Sequence, residues 1–86
     1  MKANLIIARN VRRLRVLRDI SQEALAVDAD IDRTYVSRIE RGLENPSVGI
    51  VEQIAKALKT DIRELFDPAP VARGAVKPLP GGRRKA

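Results

Sequence analysis

The sequence predicts an all-α fold, a compact domain of five helices. Its 86 residues leave room for one domain. Hydrophobic residues make up 44% of the chain but aromatic residues only 2%, which favours helices over a β-sandwich or a β-barrel. Apolar residues also recur at helical spacing in successive segments, each preceded by a residue that can cap a helix.

The first two helices are indicated by apolar periodicity and by a capping serine. Between Asn4 and Arg18, apolar residues recur every three or four positions, at Ile7, Val11, Leu14 and Leu17. Ser21 is suited to accept a hydrogen bond from a backbone N–H of the next helix, and the helix formers after it extend that helix to about Asp28. We therefore expect a long amphipathic helix followed by a short one.

The third helix is predicted to span Arg33 to Arg41. Asp32 can cap its start, and Gly42 can supply the left-handed residue that ends it. Val36 and Ile39 lie on its apolar side. Because only about three residues separate it from the second helix, the pair has the spacing of a helix-turn-helix, whose second helix can enter the major groove of DNA.

Two further capped helices complete the predicted domain. Ser47 can cap a fourth helix, and Asp61 a fifth that ends at Phe66. Pro68 and Pro70 are then expected to break any helix. We predict a domain over residues 1–67 and a disordered, Pro/Gly-rich basic tail over residues 68–86.

The composition argues against an enzyme and against a membrane protein. The chain has no histidine and no cysteine, which removes the usual zinc ligands, a Cys nucleophile and a His general base. No glycine-rich phosphate loop occurs, so we expect no cofactor and no metal. No apolar run is longer than that at residues 5–8, which is too short for a signal peptide or a membrane span. We expect a cytoplasmic protein.

The net charge of +6 lies mostly in the tail. Residues 1–67 hold twelve basic and eleven acidic side chains, whereas residues 68–86 hold five basic ones and no acidic one. Three roles for the tail are open: non-specific affinity for DNA, a segment that folds on a protein partner, and a solubilising extension.

One side of the third helix carries residue types that suit contact with DNA bases. Arg33, Ser37 and Arg41 form one row, and Thr34 and Arg38 the next, because successive residues lie about 100° apart. Arginine suits a bidentate contact with guanine, and threonine and serine can contact several bases. The alternative is a polar face that is merely solvated.

Groups that could bind phosphates flank this face. The helix N-termini at Ser21 and Ser47 present free backbone amides and a partial positive charge. Gln22, Tyr35 and Asn45 lie where their side chains could add contacts to the DNA backbone.

Five motifs occur in order: LR at residues 14–15, SQEALA at 21–26, DRTYVSRIERG at 32–42, NPSV at 45–48 and IAKAL at 54–58. Together they resemble the Xre/Cro-type family of phage-repressor helix-turn-helix domains, over nearly all of residues 5–66. Several motifs at the family's spacing are more specific than any single one. The resemblance implies a phage-repressor-like fold of five helices and a transcriptional regulator that binds double-stranded DNA.

The resemblance also assigns roles to single positions. Base contacts fall on Arg33, Thr34, Ser37 and Arg38. Contacts with the DNA backbone fall on Gln22, Tyr35, Arg41 and Asn45. The pair Arg15 and Glu40 matches a partly buried ion pair between the first and third helices, for which the alternative is two independent surface charges. Where the family often has glycine at turns, this chain has Asp19, Asp30 and Lys59.

The DRTY motif at residues 32–35, with no second domain, resembles the small controller regulators of restriction–modification systems. That resemblance implies autoregulation through protein concentration and dimerisation. Two alternatives stay open. One is an antitoxin that neutralises a cognate toxin and represses their shared operon, and the other is a helix-turn-helix module that binds proteins without recognising a DNA sequence.

A homodimer is expected because one recognition helix contacts only a few base pairs. Two copies on a palindromic operator would place the half-sites about 34 Å apart. Candidates for the symmetric contact are the apolar residues Ile50, Ile62, Leu65 and Phe66. The alternative is that all four belong to the core.

Overall fold

The computed structural model describes residues 2–72, with side chains for residues 2–70. Over that range the chain contains helices and no strands: α1 (Ala3–Leu17), α2 (Gln22–Ala29), α3 (Arg33–Glu40), α4 (Val48–Ala57), α5 (Arg63–Phe66) and α6 (Ala69–Ala72). The all-α prediction is confirmed. The five predicted helices begin within about two residues of the expected positions.

The long α1 helix organises the core. It packs against α3, α5 and α6, while α2 packs against α3 and α4. The helices α1 to α5, with the residue that ends α4, contribute the largest fully buried apolar side chains: Val11, Leu25, Val36, Ile39, Val51, Ile54, Leu58 and Leu65. None of the helices in the described part of the chain is long and apolar enough to cross a membrane.

Ser21, Asp32 and Ser47 occupy the N-cap positions of α2, α3 and α4, as predicted, whereas the N-cap of α5 is Ile62 and Asp61 lies one residue before it. Ser21, Asp32, Ser47 and Asp61 each accept a hydrogen bond from a backbone N–H of the following first turn, at 2.8–3.1 Å. Hydrogen bonds from the Arg63 side chain to the Asp61 carboxylate also hold the pKa of Asp61 below its ordinary value.

The four longest helices end in the same turn. Their left-handed residues are Asp19, Asp30, Gly42 and Lys59, with φ of 56°, 59°, 74° and 55°. In each turn this residue donates its N–H to the carbonyl three residues earlier, and the next residue donates to the carbonyl five residues earlier. This is the Schellman arrangement, so the three non-glycine residues do occupy positions that favour glycine.

The structure differs from the prediction just after α5. Pro68 and Pro70 were expected to end helical structure, yet Ala69–Ala72 forms the single turn of α6. Proline is tolerated there because the first turn of a helix needs no N–H donor from it. The Asp67 carboxylate accepts a hydrogen bond from the N–H of Ala69 at 2.9 Å. The rest of the predicted tail, residues 73–86, lies outside the described residues.

Candidate nucleic-acid interface

The α3 helix has one buried side and one polar side. Val36 and Ile39 are 0% and 1% exposed, so they fix the helix against the core. Arg33 and Thr34 are exposed, and Ser37 is half-buried beside them. A helix anchored in this way presents its polar side chains from a rigid support.

Arg38, on the polar side of α3, forms an ion pair with a residue outside the helix. Arg38 donates a hydrogen bond from Nε to Oε2 of Glu44 at 2.6 Å. The side chains remain 43% and 29% exposed. Arg38 therefore stays accessible, but its guanidinium is oriented by the loop that follows α3.

A buried ion pair joins the end of α3 to α1. Arg15 donates from Nε and Nη2 to the two carboxylate oxygens of Glu40, at 2.7 and 3.0 Å, and from Nη1 to the carbonyl of Ile20 at 2.8 Å. The Glu40 side chain is only 2% exposed. Glu40 also accepts a hydrogen bond from Nε2 of Gln22 at 3.1 Å. One carboxylate thus links α1, α2 and α3.

The N-termini of α2 and α4 are capped by their serine hydroxyls. Ser21 accepts from the N–H of Ala24, and Ser47 from that of Ile50. Each cap satisfies one of the amides of the first turn, and a helix of this kind leaves others pointing outward along its axis. Both serines are exposed, so both helix starts are open to an anion.

The remaining predicted backbone contacts differ in accessibility. Arg41 and Asn45 are exposed on either side of Gly42, at the end of α3 and in the loop. Tyr35 is half-buried and packs against the core, and Gln22 is half-buried against Glu40. A carboxamide carries two N–H groups, so Gln22 keeps one donor after its bond to Glu40.

For one of the four candidate dimer contacts, the alternative of a core residue holds. Leu65 is 0% exposed and belongs to the core, so it cannot form a symmetric contact in this fold. Ile50 and Ile62 are partly buried against the core, and Phe66 is 42% exposed. The apolar surface left for a second copy therefore includes Phe66 and the accessible parts of the two isoleucines.

Two polar residues with structural or functional contacts were missed by sequence reasoning. Glu44 is one. It pairs with Arg38, and the end of α3 lies between the two residues, so helical spacing does not indicate the contact. Asn10 is the other: it is 0% exposed, and its Nδ2 donates to the carbonyls of Leu65 and Asp67 at 3.1 and 2.8 Å. Its position three residues after Ile7 on the apolar side of α1 was a signal that could have found it.

No cluster in the described part of the chain suits a metal ion. Among residues 2–72 there is no group of three or more histidine, cysteine, aspartate or glutamate side chains that could hold one.

Comparison with known proteins relates this architecture to regulators of one family. A family model described as Helix-turn-helix matches residues 11–65. Control protein C.BamHI of Bacillus amyloliquefaciens is 42% identical over 64 residues, which cover 73% of this chain and 79% of that protein.

Solved structures give the same result. The restriction–modification controller protein C.AhdI from Aeromonas hydrophila has a TM-score of 0.71 and 38% identity, covering 73% of this chain and 96% of that one. The controller protein C.Esp1396I, crystallised as a tetramer with its natural 35 base-pair operator, has a TM-score of 0.68 and 27% identity, covering 78% and 99%. Since the matched region contains α2, α3 and the core that supports them, the chain belongs to the Xre-like helix-turn-helix family.

Proposed function

We propose that this chain is a sequence-specific transcriptional regulator that binds double-stranded DNA through α3 and acts as a homodimer on a palindromic operator. The observation that carries the proposal is the polar face of α3 formed by Arg33, Thr34, Ser37 and Arg38. The first two are exposed and the other two half-buried, and the opposite side of the helix is fully buried. Such a helix fits the major groove, where each base pair presents a distinct pattern of donors and acceptors.

The chemistry of this polar face suits base recognition. Arg33 is exposed and has no ion pair within residues 2–72, so its guanidinium is available to the O6 and N7 atoms of guanine. Thr34 offers a hydroxyl to a base edge or a methyl group to thymine. Ser37 adds a short hydroxyl that lets the helix approach the groove closely.

Phosphate contacts on both sides of α3 would hold the helix in place. The N-termini of α2 and α4 provide outward amides and the positive ends of helix dipoles. Gln22, Tyr35, Arg41 and Asn45 add donors around the same surface. These contacts fix the orientation of the protein on the duplex, and the α3 side chains then select the sequence.

Similarity to controller proteins supports a controller-like role. C.Esp1396I binds its operator as a tetramer, which supports both DNA binding and self-association in this chain. We propose that Phe66, with Ile50 and Ile62, contributes the symmetric contact, and that the dimer binds the promoter of its own gene. With occupancy set by protein concentration, such binding would be autoregulatory.

Selection of bound sequences from a pool of random duplexes tests the proposal. We expect enrichment of a palindrome whose half-sites lie about one helical turn apart. Arg33→Ala should abolish the preference at particular symmetric positions, whereas the control Arg63→Ala, which removes the same charge from the exposed surface of α5, should leave the motif unchanged. Recovery of random sequence by the parent protein would disprove sequence-specific binding.

Footprinting on the chain's own promoter tests autoregulation separately. Protection of a palindrome close to the start site is expected. If the selected palindrome is absent from that promoter and the promoter is not protected, the protein regulates other genes only.

A further inference from the structure

The ion pair between Arg38 and Glu44 lies on the surface proposed to face DNA. Arg38 is in the last turn of α3, and Glu44 is in the loop before α4. The loop is fixed by the left-handed Gly42 and by a hydrogen bond from the N–H of Leu43 to the carbonyl of Arg38 at 2.9 Å. Glu44 is therefore placed beside Arg38 by the backbone as well as by charge.

The bond between the two side chains leaves the outer end of the guanidinium available. Glu44 accepts a hydrogen bond from Nε of Arg38 at 2.6 Å. Within the described residues, the Arg38 side chain makes no other hydrogen bond. A guanidinium has five N–H donors in a planar fork, and a bidentate contact with guanine needs only two of them. An arginine held at Nε can thus present its Nη groups to a base.

The same carboxylate changes how Arg38 interacts with phosphates. The polar side of α3 and the residue that follows the helix carry Arg33, Arg38 and Arg41, all of which attract the DNA backbone at any sequence. The single negative charge of Glu44 offsets one of these positive charges. The loss of net positive charge lowers affinity for every duplex. The orientation of Arg38, in contrast, raises affinity only for a duplex with a suitable base at the contact.

From this geometry we propose that Glu44 is a specificity-determining positioning residue: it orients Arg38 toward a base edge and suppresses its contribution to non-specific binding. The inference rests on the proposed function of α3. It assigns Glu44 a role in choosing the sequence, in addition to whatever it contributes to the fold.

Glu44→Gln tests the inference because glutamine keeps a hydrogen-bond acceptor but loses the charge. We expect affinity for a duplex of random sequence to rise about threefold to tenfold per subunit at moderate salt, and the salt dependence of that binding to steepen by about 0.9 per subunit. Affinity for the selected operator should change less, so the ratio of specific to non-specific affinity falls. The matched control Glu64→Gln removes the same charge from α5 and should not change that ratio.

Sequence selection gives a second measurement, the base preference at each operator position. If Glu44 only stabilised the fold, its substitution would leave that preference unchanged. Glu44→Ala, which removes the acceptor, should weaken the base preference at the operator position whose preference Arg38→Ala abolishes, and Glu44→Gln, which keeps a neutral acceptor, should weaken it less. In an Arg38→Ala background, Glu44→Gln should change base preference no further. Thermal melts of each variant separate these effects from loss of folding.

The outcomes distinguish the inference from the proposed function. If the parent selects a palindrome but Glu44→Gln leaves both the specificity ratio and the motif unchanged, the inference is wrong and the regulator proposal stands. If the effects of Arg38→Ala and Glu44→Gln on base preference add independently, Glu44 does not act through Arg38. If the parent itself selects no sequence, the proposed function fails first.

Discussion

The Arg15→Ala variant probes the network that connects α3 to the rest of the domain. Glu40 is 2% exposed and receives two hydrogen bonds from Arg15, at 2.7 and 3.0 Å, and one from Gln22 at 3.1 Å. The substitution leaves a buried carboxylate with one amide donor and also removes the donor to the carbonyl of Ile20. Removing one partner of a buried ion pair costs about 3–5 kcal/mol.

That cost is a large fraction of the free energy of unfolding of a small domain, which is typically about 5–15 kcal/mol. We expect the melting temperature to fall by roughly 12 °C or more, since a domain of this size loses about 4–8 °C per kcal/mol. Circular dichroism melts and urea titrations measure both quantities.

A double variant separates charge burial from loss of packing. Replacing both Arg15 and Glu40 with methionine removes the unpaired charge, so most of the lost stability should return, to within about 1–2 kcal/mol of the parent. The exposed pair on α5 provides a control, because Arg63→Ala should leave the melting temperature unchanged. If Arg15→Ala has the same melting temperature as the parent, the ion pair of Arg15 and Glu40 does not stabilise the fold as argued.

Three further predictions concern the fold and are checked by the same melts. Gly42→Ala should destabilise by about 1–2 kcal/mol because φ is +74°; the added Cβ would lie 2.6 Å from Cδ2 of Leu5, an exposed side chain whose end can move aside at little cost. Lys59→Gly should stabilise by up to about 1 kcal/mol, since lysine is strained at φ of 55° and glycine is not; a lower melting temperature would contradict this. Asn10→Leu should destabilise by about 1–3 kcal/mol because the buried carbonyl of Leu65 and the partly buried carbonyl of Asp67 lose their donor, and an unchanged stability would show that they find other partners.

Features that depend on neighbouring residues were predictable from the sequence. Helix positions follow from apolar spacing and from caps such as Ser21 and Asp32, whose hydrogen bonds reach only two or three residues. The left-handed ends at Asp19 and Lys59 follow from the family's glycine positions. The polar side of α3 follows from helical geometry once the inward position of Val36 is recognised.

Features that depend on distant residues were not predictable from spacing. The ion pair of Arg15 and Glu40 joins residues 25 apart in sequence and was expected only from the family resemblance. The partner of Arg38 depends on the path of the loop after Gly42, which no periodicity describes. The sequence left Leu65 with two alternatives, a dimer contact or a core residue, because α5 has only four residues, too few for a repeat to show which side faces inward.

Chemical protection of guanine N7 on the selected operator tests the central claim most directly, because N7 lies in the major groove. If α3 inserts its arginine-bearing side there, the parent should protect guanines at two symmetric positions about 34 Å apart, and Arg33→Ala should lose protection at one guanine in each half-site. Full reactivity of every guanine N7 in the bound duplex would contradict major-groove recognition by this helix.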